Sequence, residues 1–127
     1  MKETTIKIRG YHCDSYGHVN NSRYLELLEE ARWDFLDQEN RIEHFKNLGL
    51  QFFIVNININ YRKALILGDE IKINVSLLEH GNTSITLKQE ITRNNEIAAD
   101  ALIKFVLFDS NTGKPTRVTE AHVAKFR

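Results

Sequence analysis

The hydrophobic period changes once along this chain, and that change limits the folds open to it. Residues 22–36 carry apolar side chains at helical spacing: Tyr24, Leu28, Ala31 and Phe35 fall on one face, and Leu25, Leu27 and Leu36 widen it. Glu26, Glu29, Glu30, Arg32 and Asp34 cover the remainder, giving an amphipathic helix with a broad buried face. From residue 50 onward the period is two. Phe53, Val55, Ile57, Ile59 and Tyr61 alternate with Asn56, Asn58 and Asn60; Ile71, Ile73, Val75 and Leu77 alternate with Lys72, Asn74 and Ser76; Ile85, Leu87 and Ile91 alternate with Thr86, Lys88, Glu90 and Thr92. A further strand, residues 97–108, is apolar on both faces, so its second face needs a cover such as another subunit. Residues 4–12 alternate around Ile6 and Ile8 and form an opening strand that His12, Cys13 and Asp14 finish.

Gly68-Asp69, His80-Gly81-Asn82 and Asn94-Asn95 separate the later strands. A short helical piece over 40–48 ends at Gly49, residues 111–115 form a turn, and the tail from Thr119 is ambiguous. One strand, one long helix and four closely connected strands predict a single α+β domain over 1–127. An antiparallel meander of about five strands wraps its apolar face around the helix.

Length and charge narrow the function. The 127 residues support one modest core, and 17 basic residues against 17 acidic ones give no global field for nucleic acid or an anionic membrane. One cysteine rules out an intrachain disulfide and fits a reducing compartment. The start from Met1 to Lys7 lacks an apolar run, and nowhere do about twenty apolar residues follow one another, so a cytoplasmic protein is expected.

The chemistry concentrates between the first strand and the helix, in Asp14-Ser15-Tyr16-Gly17-His18-Val19-Asn20-Asn21. A carboxylate ends the strand, Gly17 allows a turn of positive φ or a close substrate approach, and Asn20, Asn21 and Ser22 are alternative N-caps. Such an order can aim one negative side chain and the positive end of a helix at one point, as acyl hydrolysis requires. The plainer reading makes Asp14 a turn aspartate. Tyr16 and Tyr24 read as packing residues whose hydroxyls can edge a pocket. Cys13 reads as a small buried residue, because strand neighbours point to opposite faces. His12, Asp14 and His18 would be the ligands of a metal, but the helix-end chemistry needs none.

Asp14-x-x-Gly17-His18-Val19-Asn20-Asn21-x-x-Tyr24, followed by Glu29-Glu30-Ala31-Arg32, resembles the opening signature of the 4-hydroxybenzoyl-CoA thioesterase-like branch of hotdog-fold proteins. Tyr61, Gly68-Asp69 and Thr112-Gly113-Lys114-Pro115 extend the resemblance over nearly the whole chain. It implies a hotdog sheet around a central helix, sheets joined edge to edge in a homodimer or homotetramer, and sites at the subunit interface. Those sites act on acyl-CoA or acyl-carrier thioesters without metal or other cofactor. Carried onto this sequence, Asp14 takes the place of the catalytic carboxylate and the Asn21 N–H that of the oxyanion donor. Tyr16, Gly17, His18, Asn20 and Tyr24 shape the site. Other branches place the acid on the helix, which keeps Glu29 and Glu30 in view. For the phosphates of CoA, Arg62 and Lys63 are the first candidates, then Lys88, Lys114 and Arg117. The expected activity is acyl-CoA hydrolysis; the alternatives are a carrier-protein thioesterase and a non-catalytic acyl-binding domain.

Overall fold

A computed structural model describes residues 2–127; Met1, the first residue of the opening stretch, lies outside them. In chain order the elements are β1 (Lys2–Lys7), α1 (Asn21–Asp37), α2 (Arg41–Asn47), β2 (Leu50–Tyr61), β3 (Glu70–His80), β4 (Ser84–Arg93), β5 (Glu96–Asp109), β6 (Lys114–Pro115) and α3 (Glu120–Ala124). The strands form one antiparallel sheet in the order β1-β3-β4-β5-β2, with the two-residue β6 on β5. This sheet curls around α1, the hotdog arrangement expected of an α+β chain with one long helix.

Helix α1 buries Tyr24, Leu27, Leu28, Ala31, Arg32 and Phe35. They meet Ile71, Ile73 and Val75 of β3, Ile85, Leu87 and Ile91 of β4, and Ile103, Phe105 and Leu107 of β5. Each fully enclosed Ile or Leu of this set removes a side chain from water at a gain of about 1.5–3 kcal/mol. At the far end Phe45, Phe52, Phe105 and Phe126 close the core with ring centroids 5–6 Å apart. The ambiguous tail carries α3, which Thr119 caps, and the buried Phe126 just beyond it completes that cluster.

Three expectations need correction. Only β3, β4 and β5 form the meander; β2 pairs with β5 and leaves its other edge open, while β1 occupies the outer edge of β3. The connection over residues 62–69 is long enough to cross the end of the sheet, so β2 and β3 need not be neighbours. The opening strand ends at Lys7, and residues 10–12 form a single 3-10 turn rather than its continuation. Finally, a bulge between Ile54 and Asn56 shifts the faces of β2. Phe52 and Ile54 share the helix side with Ile57 and Ile59, opposite Leu107, Phe105, Ile103 and Ala101, whereas Phe53 stacks on Phe108 across the other face.

The Asn94-Asn95 turn joins β4 to β5 with φ of 51° and 65°, the left-handed pair that a tight hairpin requires and that asparagine tolerates. No helix among the described residues is long and apolar enough to cross a membrane.

Candidate functional site

A hairpin-like loop carries Asp14 to the start of α1. Cys13 pairs with Val19, the Asp14 N–H donates to the His18 carbonyl at 2.8 Å, and the Gly17 N–H donates to the Asp14 carbonyl at 3.1 Å. Gly17 closes this turn at φ +78°, and a Cβ there would meet nothing within 4 Å. Backbone conformation, not crowding within the protomer, therefore accounts for the glycine. The Val19 N–H donates to the Leu65 carbonyl at 2.8 Å, which fastens the loop to the 62–69 connection.

Asp14 is exposed, and its Oδ1 accepts the backbone N–H groups of Tyr16 at 2.9 Å and His18 at 3.3 Å. It is thus the turn aspartate of the plainer reading. Its other oxygen, Oδ2, accepts no hydrogen bond among the described residues and is free to face a ligand.

Asn20 is the N-cap of the three alternatives. Its backbone is extended, and its Oδ1 accepts from the Ser22 N–H at 3.1 Å and the Ser22 hydroxyl at 3.0 Å. Asn21 is consequently the first helical residue, and its N–H has no acceptor among the described residues. The first turn of α1 holds no acidic side chain, so the positive end of the helix dipole is uncompensated there.

Asp14, His18, Asn20, Asn21, Tyr24, Tyr61, Arg62 and Lys63 border one open cleft of about 570 Å³. Tyr16 does not; it is 84% exposed and contributes its backbone N–H to the turn. Gly17 likewise acts from behind. Tyr24 is buried, and its hydroxyl accepts the Leu65 N–H at 3.3 Å; burial foremost pushes that phenol above its ordinary value, so it stays protonated. Tyr61 is the residue that periodicity missed as part of the site. It sits edge-on to Tyr24 at 5.0 Å and donates its hydroxyl to the Asn21 carbonyl at 3.1 Å, holding the first turn of the helix. An aromatic side chain at a strand end directly before two basic residues was the available signal.

Arg62 and Lys63 reach the rim, but each is already ion-paired, with Asp100 and Glu96 respectively. Lys88, Lys114 and Arg117 are exposed and do not border the cleft. Glu29 and Glu30 lie more than two turns along α1, about 12 Å from its start at 1.5 Å per residue. Glu29 lines a separate apolar cavity.

His12 turns away from ligand chemistry. Its Nδ1 accepts the Arg9 N–H at 2.8 Å, and burial, with the Arg23 charge next, pushes the imidazole below its ordinary value. Among the described residues no three His, Cys, Asp or Glu side chains converge as a metal would require. Cys13 is half-buried rather than enclosed, with its thiol near the Arg9 carbonyl at 3.6 Å.

Known proteins share this fold. A family model described as the thioesterase-like superfamily matches residues 8–126. The long-chain acyl-CoA thioesterase FadM of Escherichia coli is 47% identical over 114 residues, covering 88% of this chain and 86% of that protein. The crystal structure of YbaW, a probable thioesterase from Escherichia coli, superposes with a TM-score of 0.91 at 43% identity, covering 97% of this chain and 94% of that one. A Thermus thermophilus thioesterase crystallised with coenzyme A and zinc gives a TM-score of 0.83 at 26% identity, covering 98% and 91%.

Proposed function

We propose that this chain, which belongs to the thioesterase-like superfamily, hydrolyses acyl-CoA thioesters to a carboxylic acid and free CoA. One observation carries the reading: a carboxylate with an unengaged oxygen and a helix start with an unengaged N–H border the same cleft. The FadM relative acts by name on long-chain acyl-CoA, and the Thermus thermophilus thioesterase holds coenzyme A, which favours CoA over a carrier protein as the thiol partner.

In this reading the Asn21 N–H receives the carbonyl oxygen as it gains charge, helped by the dipole of α1. Asp14 acts through Oδ2 by one of two routes. As a nucleophile it attacks the thioester carbon, the C–S bond breaks, CoA leaves as thiolate, and water then cleaves the mixed anhydride. As a general base it takes a proton from water, whose oxygen forms the new C–O bond while the thiolate departs and recovers a proton. Asn20 fixes the helix start for this work, while Tyr24 and Tyr61 wall the cleft. Arg62 and Lys63 meet the CoA phosphates by exchanging their present carboxylate partners for them.

The 127 residues act as one hotdog domain of a cytoplasmic enzyme that assembles at least as a dimer. The open edge of β2, twelve residues long with Phe53, Val55 and Ile57 exposed, supports that assembly.

The test is Asp14→Asn, assayed by thiol release on acyl-CoAs of short, long and aromatic chains. Turnover falls by on the order of 10²–10⁴-fold, while acyl-CoA affinity and melting temperature stay near those of the parent. Turnover retained in that variant would move the chemistry to Glu29 or Glu30. Binding without turnover by the parent protein on every chain would favour a non-catalytic acyl-binding domain.

A further inference from the structure

Helix α1 carries a buried cation that the cleft does not use. Arg32 lies eleven residues, about 16 Å of helix, beyond Asn21, and only 9% of it is exposed. Its Nη1 donates to the Gln89 Oε1 at 3.0 Å, and Gln89, fully buried, donates in turn to the Leu28 carbonyl at 3.0 Å. Gln89 occupies the inward position of β4 between Leu87 and Ile91, where the alternation calls for an apolar residue. The polar pair is therefore built into the core rather than stranded at its margin.

This pair leaves the guanidinium incompletely satisfied. Among the described residues Arg32 makes no ion pair, and its Nε and Nη2 have no protein acceptor. Neither nitrogen is sealed against packed hydrocarbon, since no fully enclosed side-chain nitrogen or oxygen among the described residues lacks a partner. Arg32 itself lines a cavity of about 200 Å³ whose other walls include Trp33, Leu36, Phe52, Ile54 and Phe105. For comparison, a dry cavity of about 150 Å³ takes a benzene ring. Glu29, at the same cavity, is the one acidic residue on its wall; it is exposed and not within salt-bridge distance of Arg32. Burial pushes Arg32 below its ordinary value and the Glu29 charge opposes that, so the cation sits in a poorly hydrated place.

A cation inside apolar walls, with two unpartnered donors in a planar fork, suits a bidentate anion on an apolar chain, and a carboxylate on an alkyl chain is the smallest such ligand. We propose that this cavity binds an alkyl carboxylate, its head forked on Arg32 and its chain leaving along Trp33 and Ile54. Two sources share that chemistry, a free fatty acid and the far carboxylate of an ω-carboxyacyl thioester. The proposal does not depend on the role given to Asp14, because binding can be read without turnover.

Trp33 is the only tryptophan of the chain and lines the cavity, so its fluorescence reports occupancy. Decanoate is titrated against decanol, which has the same chain and no charge. Decanoate binds saturably and at least about tenfold more tightly than decanol, and Arg32→Met removes that difference. Since Arg32→Met can disturb the core, Gln89→Glu supplies a second reading; it sets an anion of the same size beside the guanidinium and weakens decanoate by a similar factor. Glu29→Gln removes a competing anion and leaves decanoate affinity unchanged or raised. Equal binding of decanoate and decanol overturns the proposal. So does decanoate affinity that survives both Arg32→Met and Gln89→Glu, and so does loss of subunit association in those variants with decanoate binding intact, which would give Arg32 to a second copy's carboxylate. The sources separate in a hydrolysis assay. An Arg32-dependent preference for an ω-carboxyacyl-CoA over its methyl-ended counterpart assigns the cavity to the far end of a substrate. Decanoate binding without such a preference assigns it to the free acid.

Discussion

Asp69 illustrates how single side chains hold the cleft in shape without touching it. Its Oδ2 accepts from Arg93 at 2.8 Å and from the Ile66 N–H at 2.9 Å, and Arg93 also donates to the Ala64 carbonyl. Burial alone would raise the Asp69 carboxyl, but the Arg93 guanidinium and the Ile66 N–H outweigh it and hold the group below its ordinary value. The folded state therefore favours the ionised form. Its contribution to stability is complete above the unfolded aspartate value of about 3.9 and fades as pH falls through the lower folded value. Asp69→Asn is expected to lower the melting temperature at pH 7 and to converge with the parent as pH falls through the lowered folded value. Thermal scans across that interval check it; a gap that stays constant with pH would show that the carboxylate charge is not what matters.

Among the elements, β2 shows best where sequence and structure part company. Strict alternation puts Phe53 and Val55 with Ile57 on one side, yet one extra residue at the bulge sends Phe52 and Ile54 inward instead. Phe52 touches the rings of Phe45, Phe105 and Phe126, while Phe53 meets only Phe108. Phe52→Ala is expected to cost about 3 kcal/mol and Phe53→Ala less than about 1 kcal/mol, read from urea midpoints. The reverse ranking would restore the unbroken alternation.

A bulge leaves no mark in period-two spacing, because it depends on which strand lies alongside, and the facing residues of β5, Phe105 and Lys104, come far later in the chain. The same holds for Arg32 and Gln89. Each is polar by type, and only their meeting across the helix–sheet interface makes burial tolerable. By contrast, α1 and the hairpin between β4 and β5 were legible, since both rest on local spacing and local turn chemistry. So was the grouping of Asp14, His18, Asn20 and Asn21, which lie close in sequence as well as in space. Tyr61 reaches the cleft from the end of β2, and Asp100 and Glu96 of β5 reach Arg62 and Lys63 at its rim; only the fold brings them there.

For the molecule as a whole, the open edge of β2 is the feature least suited to an isolated protomer. An edge strand of this length with bulky apolar side chains invites pairing with another strand, and a charge placed on it discourages that. Phe53→Lys combined with Val55→Lys is expected to weaken self-association at least about tenfold in sedimentation equilibrium. An unchanged association constant would place the interface elsewhere. The paired cations at the cleft rim bear on the protein's response to its medium. In the proposed function a polyanion entering there would displace Asp100 and Glu96, so Arg62 and Lys63 would trade one set of anions for another and the net attraction would hardly rise. Added electrolyte screens the internal pairs and the incoming ones alike, leaving uptake far less sensitive to ionic strength than two bare cations would suggest.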